Sequence, residues 1–205
     1  MTSDSTIAAI RFGYGLPLPE GAPVTPQAML ALLAGPDLAA QRWPSIDLAA
    51  FLQAEAMMAP FRQALREKKP VPPEAQASAD NMLAMADIAL QATLARALGS
   101  PDGLRERLVA FWANHFTVVV KQKYRRVLAS TLVEDAIRPN MTGRFGDLLT
   151  AVTLHPAMLE YLDQSSSVGP DSPVGMRRNK GLNENLAREL LELHSLGVGA
   201  AYSQA

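Results

Sequence analysis

The sequence contains no cysteine and only three histidines. Without thiols the chain has no disulfide bond, no thiolate nucleophile and no zinc or iron–sulfur site with cysteine ligands. Any metal site must therefore use histidine and carboxylate ligands. No cofactor is assigned from the sequence.

The chain also lacks an excess of charge of either sign. Nineteen basic and twenty acidic residues give a formal net charge of −1, so no overall field attracts nucleic acid or an anionic membrane. Aromatic residues make up 6% of the chain, and they do not interleave with the basic clusters as they do in a stacking platform. Nucleic acid is therefore disfavoured as a partner.

Long apolar runs are absent as well. No window approaches 18 uninterrupted apolar residues, so we expect no membrane span. The first residues lack a basic region followed by the apolar stretch of a signal peptide. We expect a cytoplasmic protein from the chain as written, and a periplasmic or secreted one if a leader was omitted.

Alanine, leucine and methionine dominate the sequence and recur at helical spacing, whereas β-branched residues are scarce outside residues 117–120. This composition predicts an all-α fold, an irregular multi-helix bundle of about eight to nine helices. The length suits one domain over 1–205, with a proline-rich linker between helices at 69–74 and a long polar loop at 163–182 before the last helix.

Capping signals and helical periodicity set the expected boundaries of the helices. His155 precedes Pro156 and is expected at the N-cap of the helix PAMLEYLD. Gly197 is expected to end the last helix in a left-handed conformation. The other predicted helices that bear on function cover 47–68, 74–98, 104–120, 124–138 and 183–196.

Face geometry separates the polar residues of the last predicted helix. Each residue advances by about 100° around a helix. On that basis Asn185, Glu189 and Glu192 form a stripe beside the leucine face. His194 falls roughly 140° or more away from both glutamates, so these residues cannot bind one ion from this helix alone. His194 is expected to be a surface or interface residue.

His115 falls within an apolar stripe of its predicted helix and is expected to be buried. Its partners would have to come from other helices. The candidate catalytic residues are His115, Glu189 and Glu192, and the candidate metal ligands add His155 to these three. A core histidine and a structural salt bridge are the simpler interpretations of the same residues.

Basic residues precede the last predicted helix. Arg177, Arg178 and Lys180 lie near its N-terminus, where free N–H groups favour anions, and they are candidates for binding an anion or a partner. A solvated charged face is the simpler interpretation. A second basic cluster contains Lys121, Lys123, Arg125 and Arg126. The serines and glycines of the loop match neither a G-x-S-x-G elbow nor a phosphate-binding loop.

Three segments together resemble the bacterial family known as domain of unknown function 1800. They are FWANHFTV at 111–118, HPAMLEYLDQSSSVGPDSPVG at 155–175 and GLNENLARELLELHSLGVGAAYSQ at 181–204, and the opening RFGYG is also similar. The resemblance implies a mostly helical protein, often exported, about twice this length and without an established reaction. This chain is therefore expected to be a partial copy that corresponds to the N-terminal half. The family's motif residues present here are Trp112, Asn114, His115, His155, Asp163, Asn185, Arg188, Glu189 and Glu192.

Two hypotheses for function remain. The first is a helical binding or assembly module whose basic loop contacts an anionic ligand or a partner protein. The alternative is a metal-assisted enzyme, a hydrolase or an oxidoreductase, with a His/Glu site between helices. The sequence does not decide whether the chain is an enzyme.

Overall fold

A computed structural model describes residues 3–179, 181–197 and 199. Within these residues the chain is largely helical and contains no strand. The predicted all-α bundle is therefore confirmed.

The helices follow one another with short connections. In chain order they are α1 Asp4–Phe12, α2 Pro26–Leu33, α3 Leu38–Arg42, α4 Leu48–Met57, α5 Ala59–Glu67, α6 Pro73–Gly99, α7 Gly103–His115, α8 Val127–Leu132, α9 Arg138–Asn140, α10 Phe145–Leu154, α11 Pro156–Tyr161, α12 Pro173–Arg178 and α13 Asn185–Glu192.

The main core lies between α6 and the helices α4, α5, α8, α10 and α11. Small residues on α6, such as Ala79 and Ala89, let neighbouring helices approach closely, and methionines fill the irregular gaps. Phe116, which follows α7, is completely buried in this core. The cluster also includes Phe51, Phe61, Met82, Met85, Leu128, Leu132, Ile137, Leu148, Val152 and Met158.

Helix α6 is the one helix in the described ranges that is long and apolar enough to cross a membrane. Length and composition alone are weak evidence, because the core helix of a soluble protein passes the same test. One side of α6 belongs to the main core, and its Arg96 forms an ion pair with Glu134 at 2.7 Å. We find no clear membrane span among the residues that the structure describes.

The prediction of one continuous helix over 47–68 is wrong. The structure divides it into α4 and α5, with the break at Met58. Pro60 at the second position of α5 has no N–H group with which to continue the hydrogen-bond ladder of α4. The helix predicted over 74–98 is present as α6.

The helix predicted over 104–120 is too long. Helix α7 ends at His115, and residues 117–120 have no regular structure. These four residues are Thr, Val, Val and Val, whose branched side chains restrict χ1 and disfavour a helix. His115 therefore lies at the end of a helix and not in its middle.

The helix predicted over 124–138 begins later and continues past its expected end. A 3₁₀ turn covers Lys123–Arg125, and α8 then leads through a π-helical turn, Val133–Ile137, into α9. In the π-helical turn the Arg138 N–H donates to the Val133 carbonyl, five residues earlier. This wider turn accommodates Pro139 without ending the helix.

The segment 163–182 is not an uninterrupted loop. It contains a 3₁₀ turn, Gln164–Ser166, and the short helix α12. Ser172 caps α12, because its side-chain oxygen accepts a hydrogen bond from the Gly175 N–H at 3.0 Å, and Pro173 follows at the first helical position.

The last helix is shorter than the predicted 183–196 and covers only Asn185–Glu192. Gly197 has φ +86°, the left-handed conformation expected of it. The N–H groups of Leu196 and Gly197 both donate to the Leu191 carbonyl, so a wide turn replaces the final helical turn.

Candidate functional site

His155 is the N-cap of α11, as the sequence predicts. Its Nδ1 accepts a hydrogen bond from the Ala157 N–H at 3.2 Å, which leaves the ring proton on Nε2, 3.5 Å from the Thr131 hydroxyl. Burial lowers the pKa of His155 to about 4. The neutral ring therefore caps α11, and Nδ1 is the atom that accepts the capping hydrogen bond.

His115 is half-buried, and the expectation that it is buried is wrong. The buried residues of α7 are Arg105, Glu106 and Val109, whereas Phe111 is 59% exposed, so the predicted apolar stripe is not the face that packs on the core. The His115 ring makes edge contacts with Trp112 and Phe116, at centroid distances of 5.6 and 4.6 Å.

His194 is buried, with 9% of its surface exposed, and the expectation of a surface residue is wrong. The projection of about 100° per residue no longer applies after α13 ends at Glu192. The turn that follows places the His194 ring against His115, with centroids 5.5 Å apart and an interplanar angle of 71°, and 5.2 Å from the Phe116 ring.

The environment of His194 disfavours its protonated form. Burial lowers the pKa of His194, and the nearby His115 lowers it further. Its Nδ1 is shielded from solvent and has no hydrogen-bond partner among the residues that the structure describes. A buried ring nitrogen without a partner is costly and calls for a ligand or a proton acceptor.

Glu189 and Glu192 are half-buried on α13. Of the three residues Asn185, Glu189 and Glu192, only Asn185 has a side-chain hydrogen bond to another described residue. Its Oδ1 accepts from Arg188 at 2.7 Å. No three His, Asp or Glu residues of the described chain are grouped closely enough to hold a metal ion. The candidates His115, His155, Glu189 and Glu192 therefore do not form a common centre.

The basic cluster lies on a different element from the one expected. Arg177 and Arg178 belong to the last turn of α12, where they complement its dipole, and do not precede α13 directly. Both are exposed, and neither has an ion pair or side-chain hydrogen bond to another described residue. Lys180 lies outside the described residues. In the second cluster, Arg125 is already paired with Glu160 at 2.9 Å.

The two ends of the loop that carries α12 are joined at its base. The Val168 N–H donates to the Gly181 carbonyl at 3.1 Å. Asn183 adds three contacts: its backbone N–H donates to the Ser167 hydroxyl at 2.9 Å, its side-chain Nδ2 donates to the Asp163 carbonyl at 3.0 Å, and its Oδ1 accepts from the Asn185 N–H at 3.0 Å. We call residues 168–181 the basic loop.

An open groove of about 450 Å³ adjoins the base of this loop. Ser166, Asn183, Glu184, Asn185 and Arg188 provide its polar groups, and Leu182 provides an apolar side chain that is 69% exposed. The groove therefore combines hydrogen-bonding groups with apolar surface.

Comparison with known proteins identifies the family. The family model described as "Protein of unknown function (DUF1800)" matches residues 8–205. The chain belongs to the DUF1800 family. Neither a curated protein nor a solved structure matches it.

Sequence reasoning missed Asn183 and misplaced His194, two polar residues of this DUF1800 chain that organise the site. Asn183 joins the base of the basic loop to α13, and His194 joins the end of α13 to α7. An asparagine two residues before a helix is a capping signal, which could have indicated Asn183. Nothing in the pattern could have indicated His194, because its position depends on where α13 ends.

A buried ion network in the other half of the molecule was also missed. Arg138 donates to both oxygens of Glu106, at 2.7 and 3.0 Å, and to Asp37 at 3.1 and 3.3 Å. Burial would raise the pKa of Asp37, but the Ala40 N–H and Arg138 together lower it. The single Arg138 guanidinium thus holds two carboxylates by hydrogen bonds, which supports a structural role for the network.

Proposed function

We propose that this DUF1800 chain is a binding or assembly module, and that a partner protein with an acidic surface contacts the basic loop and the groove beside it. The proposal rests mainly on the exposure of Arg177 and Arg178 and on their lack of an acidic partner in the described part of the chain. By contrast, the buried arginines Arg96, Arg105 and Arg138 are all paired.

Apolar side chains accompany these arginines. Met176, between the α12 cap and the arginines, is 69% exposed, and Val174 and Leu182 are exposed as well. Arginine and methionine are enriched at protein interfaces, and exposed apolar groups rimmed by polar ones are typical of interaction sites. This composition favours a protein partner over a small inorganic anion.

The anchored base of the basic loop supports the same proposal. Compact surface loops with joined ends are frequently functional. Because Asn183 and the Val168–Gly181 hydrogen bond already order the base, less conformational entropy would be lost when a partner binds.

The alternative of a metal-assisted enzyme has less support. It needs His115 or His155 to converge with Glu189 and Glu192, and no such group of three exists in the described ranges. In addition, the Nδ1 atom of His155 already accepts the hydrogen bond that caps α11.

Affinity capture tests the proposal. The wild type, the Arg177→Ala/Arg178→Ala variant and an Arg66→Ala/Arg144→Ala control would be immobilised, and proteins captured from native cell extract would be quantified by mass spectrometry. Arg66 and Arg144 are also exposed, so the control removes the same charge elsewhere. We expect a specific partner whose capture falls at least about fivefold in the first variant only, since two charge-assisted contacts are lost. Equal capture by all three proteins would contradict the proposal.

A further inference from the structure

We propose that His115 and His194 together bind a divalent transition-metal ion, with Zn²⁺ as the representative, through one ring nitrogen each. This inference goes beyond the proposed function and does not depend on it. The site joins the C-terminal end of α7 to the turn after α13, and it differs from the site of His115, His155, Glu189 and Glu192 expected from the sequence.

The separation of the two rings suits a shared ion. An imidazole nitrogen lies about 2.0 to 2.1 Å from Zn²⁺, and the coordination is tetrahedral. Two imidazoles on one such ion therefore have ring centres roughly 5 Å apart. The centres of His115 and His194 are 5.5 Å apart, which is close to that separation.

The state of the His194 ring provides a second, independent observation. Its Nδ1 is buried and has no hydrogen-bond partner in the described chain, although a buried polar atom is normally satisfied. A metal ion would supply the missing partner.

The surroundings define what kind of ion suits the site. Trp112 and Phe116 provide an aromatic wall beside the two rings. Neutral imidazoles favour zinc, copper, nickel and iron over the harder calcium and magnesium ions. Because no third His, Asp or Glu of the described chain joins the group, the remaining coordination positions are open to water or an external ligand.

A bound ion would also have a mechanical effect. Helix α13 has no fully buried residue of its own, whereas His194, just beyond its end, is buried against α7. An ion shared by His115 and His194 would hold the end of α13 on the rest of the protein. The groove at the start of α13 would be ordered by the same link.

Zinc binding by untagged protein tests the proposal, because a polyhistidine tag would itself bind zinc. Equilibrium dialysis against Zn²⁺ with metal analysis would compare the wild type, His115→Phe, His194→Phe and the control His155→Asn. Phenylalanine retains a ring for packing but has no nitrogen, and asparagine retains an N-cap at position 155. We expect one Zn²⁺ per chain in the wild type and in the control, and at least a tenfold weaker affinity in each phenylalanine variant.

A measurement on the wild type keeps the test independent of how the variants fold. In ¹⁵N-labelled protein, Zn²⁺ should shift the ring nitrogen signals of His115 and His194 and leave those of His155 unchanged. Wild-type protein without stoichiometric zinc, affinity unchanged in both phenylalanine variants, or a zinc shift confined to His155 would each overturn the proposal.

Discussion

The imidazole of His194 packs against that of His115, 5.5 Å away between ring centres, with Phe116 beside both. Phe116 belongs to the main core, so the contact links the last described turn of the chain directly to that core. The link bears on the proposed binding surface, because the basic loop and the groove lie immediately before α13. The contact thus joins the C-terminal end of α13, the helix that follows the proposed binding surface, to the core.

His155 should make the protein less stable in acid. Its folded pKa of about 4 lies below its ordinary value of 6.5, so the unfolded chain binds the proton more readily. The contribution of the neutral His155 ring to the free energy of unfolding is fully present above pH 6.5 and is lost as the pH falls toward 4. It amounts to at most about 3 kcal/mol. Chemical denaturation across this pH range measures the loss.

The matched variant for this prediction is His155→Asn, which retains a capping side chain without a titrating ring. Its free energy of unfolding should depend less on pH between 4 and 6.5 than that of the wild type. An identical slope in the two proteins would mean that His155 does not titrate as its burial requires.

Removal of Arg138 should be strongly destabilising. Arg138→Met would leave the buried carboxylate of Glu106 without its partner, and such changes cost about 3 to 5 kcal/mol. The more accessible pair of Arg62 and Glu55, with side chains 43% and 20% exposed, provides a control, and Arg62→Ala should cost less than about 1 kcal/mol. Urea denaturation distinguishes the two, and similar losses in both variants would contradict the structural role of the network.

Asn183→Ala should loosen the basic loop without unfolding the core. The substitution removes the side-chain hydrogen bonds to Asp163 and Asn185, which are worth about 1 kcal/mol each. Hydrogen exchange of amides in 164–182 should accelerate by roughly tenfold or more, while exchange in α6 stays unchanged. Asn81→Ala on the exposed side of α6 is the control, and unaltered exchange in the loop would contradict the prediction.

The sequence predicted the features that depend on composition and on local capping. Scarcity of β-branched residues predicted the all-α fold, and a histidine before proline predicted the N-cap at His155. Gly197 is left-handed as expected, although the helix that it was expected to end stops at Glu192. These features depend on a few neighbouring residues, so one sequence is enough to find them.

Features that depend on where a helix ends could not be predicted in the same way. The assignment of His194 to the surface assumed that α13 continues to Leu196, but it ends at Glu192. Similarly, burial of His115 assumed that α7 continues to Val120. Helix ends are decided partly by tertiary packing, and so the pairing of two histidines from distant segments emerges only in the structure.

The burial of one charged residue, Arg96, can be predicted from its position in the sequence. It follows Ala89 by seven residues and Ala92 by four, and it therefore lies on the buried face of α6. That spacing places a guanidinium in the interior and requires an acidic partner. The partner itself, Glu134 on a π-helical turn, could not be deduced from the pattern.

Site-specific photocrosslinking in native cells tests the central claim, a partner-binding surface at the basic loop, most directly. A photoreactive amino acid would replace Met176 in the basic loop or, as a control, Leu90 on α6, since both side chains are well exposed. We predict a discrete crosslinked protein from position 176 that is absent from position 90 and is lost when Arg177 and Arg178 are also changed to alanine. The absence of an adduct at position 176, or an adduct that persists without the two arginines, would contradict the claim.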